Sequence, residues 1–137
     1  MAERFQTLID FHHQQEDGLR RRLAVLEHER AESVARAAAL AATRIASAAQ
    51  VDWQGREQLA RYWMKISADI AAIATATARL DQVIAKVRGE LVEVHRQITT
   101  FGKLQERDRA AAQQTRARHE ARQGDEFAAR RWLEAQS

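Results

Sequence analysis

The chain has 137 residues and a net charge of +3; it is 45% hydrophobic, with no proline, no cysteine and five glycines spread from Gly18 to Gly124. That length suits one domain, but much of the apolar content is alanine, which indicates long uninterrupted helix rather than a compact globular core. The absence of cysteine excludes disulfides, thiol nucleophiles and cysteine zinc sites, and 14 basic against 13 acidic residues up to Phe101, then 8 against 6, leave no strongly basic arm for nucleic acid.

The opening, "MAERFQTLIDFHHQQEDGL", lacks the apolar run of a secretory signal. Nowhere does the chain approach the roughly 18 apolar residues of a membrane span, so a soluble protein is expected. A first helix is predicted over residues 3–49. Steps of alternately four and three residues pick out Phe5, Ile9, His12, Glu16, Leu19, Leu23, Leu26, Arg30, Ser33, Ala37 and Leu40. Past Leu40 the apolar residues Ala41, Ile45 and Ala48 continue one step out of register. This is a seam with polar members, and within it His12 and Glu16 stand four apart, where a charge-assisted contact is feasible.

A turn follows over residues 50–55, in "SAAQVDWQGREQL", where the Asp52 carboxylate is placed to cap the next helix by accepting from a backbone N–H. The second helix, residues 56–134, carries the stronger pattern: Leu59, Trp63, Ile66, Ile70, Ile73, Thr77, Leu80, Ile84, Val87, Leu91, Val94, Ile98 and Phe101. A 3.5-residue apolar period sustained this long makes a narrow seam that must face another helix, with a left-handed supercoil. Folding the chain at the turn pairs residues whose numbers sum to roughly 105, bringing Phe101 to Phe5 and Leu59 to Ile45 and Ala48. The heptads of the second helix then stop where its partner runs out. The expected fold is therefore all-α: two long helices in an antiparallel coiled-coil hairpin, a single domain over residues 1–137, its second helix extending beyond the first. At 1.5 Å per residue the paired part would be about 70 Å long.

Beyond Phe101 the same register meets Gln105, Asp108, Ala112, Thr115, His119, Arg122, Glu126, Ala129 and Leu133, a row that implies no partner within the chain. Residues 102–124 keep high helix propensity, yet an isolated helix of this length is marginal in water, so fraying is expected unless something binds it. Phe127 and Trp132 are five residues apart and look in different directions, while Arg131 falls one turn from Phe127.

Catalysis and metal binding find little support. His12 and His13 are adjacent and point about 100° apart, so they cannot chelate one ion from a single face. Carboxylates are scattered, and no glycine-rich phosphate loop or pocket is indicated. Neither enzyme activity, a metal nor a cofactor is expected. The run "LRRRL" at residues 19–23 reads as a solvated surface. Trp53, Tyr62, Trp63 and Met64 gather at the turn end. Trp63 belongs to the seam; Tyr62 and Met64 flank it as exposed groups of the kind that meet a protein partner.

"KLQERDRAAA" followed by "RHEARQGDEFAARRW" closely resembles the C-terminal signature of the FliJ family of flagellar type III export stalk proteins, siblings of the YscO-type injectisome stalks. The opening "FQTLIDFHHQQEDGLRRRL" is similar to that family's first helix, and the resemblance spans most of the chain. It rests on Gln105, Arg107, Asp125, Glu126 and Arg130, which lead no heptad pattern of large apolar residues. The resemblance implies a stalk whose end bearing both termini enters the central hole of a hexameric export ATPase and promotes its assembly and turnover. Its other end would contact the cytoplasmic domain of the export gate and help export chaperones reach it. By the same resemblance the ring-facing residues are Phe5, Leu8, Leu104, Gln105, Arg107, Asp125, Glu126, Phe127 and Arg130, and the gate-facing ones Leu40, Tyr62 and Ile66. It implies a cytoplasmic protein, peripheral to the inner membrane through its partners only. An equivalent virulence-system stalk and a free-standing structural coiled coil are the alternatives.

Overall fold

The computed structural model describes residues 2–49 and 55–136, so the expected turn, with the Asp52 cap and Trp53, lies outside the described residues except for Gly55. A 3₁₀ turn, Ala2–Phe5, leads into α1, Gln6–Ala48, and after the turn region α2 runs Arg56–Gln136. The described residues contain no strand: the fold is all-α, a hairpin of two long helices packed against each other.

Helices this long persist because nothing in them interrupts the hydrogen-bond ladder. There is no proline, and five of the threonines turn their hydroxyls onto carbonyls of their own helix without breaking its ladder. Thr43, Thr75, Thr99, Thr100 and Thr115 each donate their hydroxyl to the carbonyl four residues earlier, at 2.9–3.1 Å.

The chain divides into two compact units, residues 16–93 and residues 1–15 with 94–137, and both helices contribute to each. In the first of these, Val87, Ser33, Ile66 and Ile84 are the most deeply buried residues, 1–5% exposed. Every α2 seam residue expected in this unit, from Leu59 to Leu91, is buried or half-buried. Ion pairs flank the apolar line, Arg30 with Asp81 and Arg88 with Glu27, the latter at 2.9 Å.

The register slip expected after Leu40 holds only at Ala41, which is half-buried while Arg44 of the original register is exposed. Ile45 is 75% exposed and Ala48 is exposed, whereas Ser47, which keeps the original register, is half-buried. Trp63 explains the choice. Its bulky indole needs a small residue opposite and an acceptor for its N–H; it donates Nε1–H to Ser47 Oγ at 3.2 Å, and the Arg44 guanidinium lies 5.8 Å from its ring centre.

In the other unit Phe5 packs on Phe101 with ring centres 6.0 Å apart, and the His12 ring stacks on the same phenylalanine at 5.5 Å, the planes 11° apart. Ile9 and Val94 are buried beside them. His12 reaches Gln15 Oε1 through Nδ1 at 3.0 Å, and Glu16 pairs with Arg20 at 2.8 Å.

Phe5 on Phe101 keeps the expected register, a sum of roughly 105, whereas longer polar side chains meet further along. Gln6 with Gln105, Arg30 with Asp81, and Arg44 with Ser67 are contacts whose numbers sum to 111 rather than roughly 105. The cause is the lean of helical side chains toward their own N-terminus. In an antiparallel pair both leaning side chains reach a level occupied by lower-numbered backbone, so the numbers that meet at the tips exceed those that face across the backbones.

Candidate functional site

Residues expected at the ring-facing end all belong to the unit formed by residues 1–15 and 94–137. There the paired region continues two layers past Phe101, where the sequence implied no intrachain partner. Gln105, 8% exposed, donates Nε2–H to Gln6 Oε1 at 2.8 Å. Arg4 then grips Asp108 with two bonds, Nε to Oδ2 at 3.0 Å and Nη2 to Oδ1 at 3.1 Å. The same guanidinium carbon lies 4.6 Å from the centre of the Phe5 ring. Polar side chains thus extend a seam whose apolar members have run out, which bidentate geometry and a half-buried amide pair make possible.

Of the nine ring-facing candidates, Phe5 and Leu104 are half-buried and Gln105 is buried, so these three build the end of the paired region. Leu8 and Arg107 are exposed, Leu8 at 41%, with the neighbouring Phe11 at 53%. The remaining four, Asp125, Glu126, Phe127 and Arg130, lie much further along α2, on a stretch from Arg109 to Gln136 in which every side chain is exposed. Here the helix that sequence reasoning placed at the margin of stability is continuous. Phe127, Trp132 and Leu133 are each 61–62% exposed, and the Arg131 guanidinium carbon stands 5.7 Å from the Phe127 ring centre. These three apolar side chains fall at widely separated angles round the helix. They do not form one stripe for a single flat partner.

The gate-facing candidates all lie in residues 16–93. Tyr62 is 43% exposed and Leu40 half-buried, whereas Ile66, at 3% exposure, is part of the seam and offers no surface in this conformation. Met64, 73% exposed, stands on the other side of Trp63 from Tyr62. Arg4 and Asp108 were missed in the sequence; the signal available was that the 3.5-residue register passes through both Gln105 and Asp108.

No group of three or more histidines and carboxylates among the described residues is placed to hold a metal ion, and no helix among them is long and apolar enough to cross a membrane. Ionisable side chains lie on exposed flanks or in short ion pairs rather than in an enclosed cleft.

What fold and surface define is a coiled-coil hairpin protein that presents an exposed stretch of helix with outward-facing aromatic and charged groups. The description "Flagellar FliJ protein" belongs to the family model that matches residues 1–137, and the chain is a member of the FliJ family. It is a flagellar type III export stalk-like protein. Comparisons with curated proteins and with solved structures gave no match.

Proposed function

We propose that the chain is the non-enzymatic stalk and adaptor of a flagellar export apparatus. In this reading its two-terminus end sits in the central hole of the hexameric export ATPase, where it promotes ring assembly and turnover. Residues of the turn end, Tyr62 and Leu40 among them, meet the cytoplasmic domain of the export gate and help export chaperones deliver their cargo. The protein works in the cytoplasm and reaches the inner membrane through these partners alone, without cofactor or nucleic acid.

The observation that carries the reading is the helix from Arg109 to Gln136. All its side chains are exposed, and its Phe127, Trp132 and Leu133 face several directions. A single flat partner would leave some of them in water, whereas a surrounding collar contacts them all. Mixed charge around those rings, from Asp125, Glu126, Arg130 and Arg131, suits the polar rim of such a contact.

The test is phosphate release by the purified cognate ATPase, with hexamer content followed by sedimentation, as the chain is titrated in. Stimulation several-fold is expected, and a double variant, Phe127→Ala with Arg130→Ala, loses most of it. No change in either rate or hexamer content, or equal stimulation by the variant, contradicts the proposal.

A further inference from the structure

Counted over everything beyond Phe101, the chain is nearly balanced, 8 basic residues against 6 acidic, but the charge is divided along the helix. Residues 109–122 hold Arg109, Arg116, Arg118 and Arg122 against Glu120 alone, whereas residues 123–137 hold Asp125, Glu126 and Glu134 against Arg130 and Arg131. Each of these side chains is exposed. A cationic band about 20 Å long therefore precedes the aromatic tip.

The band goes round the helix rather than along one face. At about 100° per residue Arg109 and Arg116 fall on one side, and Arg107, Arg118 and Arg122 on the opposite side. A flat anionic surface, or one groove of a nucleic acid, reaches a single row and leaves the other in water; a lining that encircles the helix reaches both. Where the hairpin is closed, arginines meet carboxylates of the other helix, Arg4 with Asp108, Arg30 with Asp81 and Arg88 with Glu27. Among the described residues no carboxylate stands at ion-pair distance from Arg109, Arg116, Arg118 or Arg122. Arg118 and Arg122, one turn apart, also repel each other along the helix, a cost that negative charge from outside would relieve.

We infer, resting on the proposed insertion of this end into the ATPase ring, that the stretch of the central hole surrounding residues 107–122 is lined by carboxylate side chains on opposite sides of the helix. The stretch around Phe127 and Trp132 carries no such excess. Opposite charges draw the stalk into the hole and fix how far it enters, because sliding by the length of the band sets its arginines against the lining that suits the tip. The Debye length is about 10 Å at 0.1 M salt, so the attraction weakens as ionic strength rises.

The test titrates the full chain into the cognate ATPase at about 50 and 250 mM sodium chloride and reads the concentration that gives half-maximal stimulation. For the wild type this concentration should rise several-fold with salt. A quadruple variant, Arg109→Gln, Arg116→Gln, Arg118→Gln and Arg122→Gln, should raise it about tenfold at the lower salt, leave the maximal rate unchanged and flatten the salt dependence. Lysine at the same four positions keeps the charge and should titrate like the wild type; circular dichroism checks both variants for helix content. Arg36→Gln with Arg79→Gln, in residues 16–93, leaves the titration as it was. A glutamine variant that matches the wild type at both salt concentrations overturns this inference alone, and so does an equal loss in the lysine variant or in the Arg36, Arg79 variant. No stimulation by the wild-type chain overturns the insertion reading and this inference with it. Wild-type binding to anionic vesicles or a DNA oligonucleotide that the glutamine variant loses, its ATPase titration unchanged, assigns the band to that ligand and overturns the inference.

Discussion

At the residue scale the hairpin is specified by a few polar side chains as much as by its leucines and isoleucines. Trp63 and Ser47 are the clearest case, since the indole N–H of a half-buried tryptophan finds its acceptor on the other helix. A neutral hydrogen bond of this kind contributes about 1 kcal/mol net. Ser47→Ala and Trp63→Phe should each lower stability, and a double-mutant cycle in urea should return a coupling of about 1 kcal/mol. A coupling near zero would mean that shape alone selects the register. Arg4 with Asp108 is a different case. The arginine side chain is 62% exposed and the aspartate 17%, so solvent screens the pair, and the bidentate geometry sets its worth at about 0.5–1 kcal/mol. That coupling should shrink between low salt and 0.5 M sodium chloride, as measured by the same kind of cycle.

At the element scale α2 holds both the most legible and the least legible parts of the sequence. Its seam, Leu59 to Phe101, could be read because large apolar residues recur every 3.5 positions and each one is covered in the structure. The end of α1 was less legible. Alanine is apolar enough to extend any stripe, so Ala41, Ile45 and Ala48 looked like a continuation of the seam, and the partner residue Trp63 decides against Ile45 and Ala48. The further layers, Gln6 with Gln105 and Arg4 with Asp108, were hidden because a heptad search scores apolar side chains and passes over polar ones that satisfy each other. For the residues proposed to face the ring and the gate, periodicity carried no information; the family resemblance alone suggested them.

The exposed part of α2 yields a prediction of its own. Gly124 has a helical φ, and a Cβ built there would meet nothing within 4 Å. Glycine within a helix costs about 1 kcal/mol relative to alanine. Gly124→Ala should therefore raise helicity and protection from hydrogen exchange in residues 109–136 of the free protein. If a collar closes tightly on this side of the helix, Gly124→Leu should weaken ATPase stimulation although helicity also rises. Gains in both would show that the glycine serves no contact.

At the scale of the whole molecule, composition suits the proposed function. A chain with few large apolar residues outside one seam can hold two helices in register and carry one of them past the other. Membership of the FliJ family supplies the setting in which such an element is used. The paired layers should fold without the overhang. Removing residues 109–137 leaves Arg4, Asp108, Gln6 and Gln105 in place, so thermal unfolding of the remainder should keep its midpoint within a few degrees while ATPase stimulation is lost.

The claim that the exposed end of α2 lies inside the ATPase ring is tested most directly by a photoreactive phenylalanine analogue. It would be placed at Phe127 in one variant and at Tyr62 in another, each irradiated with the assembled ATPase. The account predicts efficient cross-linking to the ATPase subunit from position 127, mapping to the lining of the central hole, and little from position 62. Cross-linking from position 62 to that lining, with none from position 127, would contradict it.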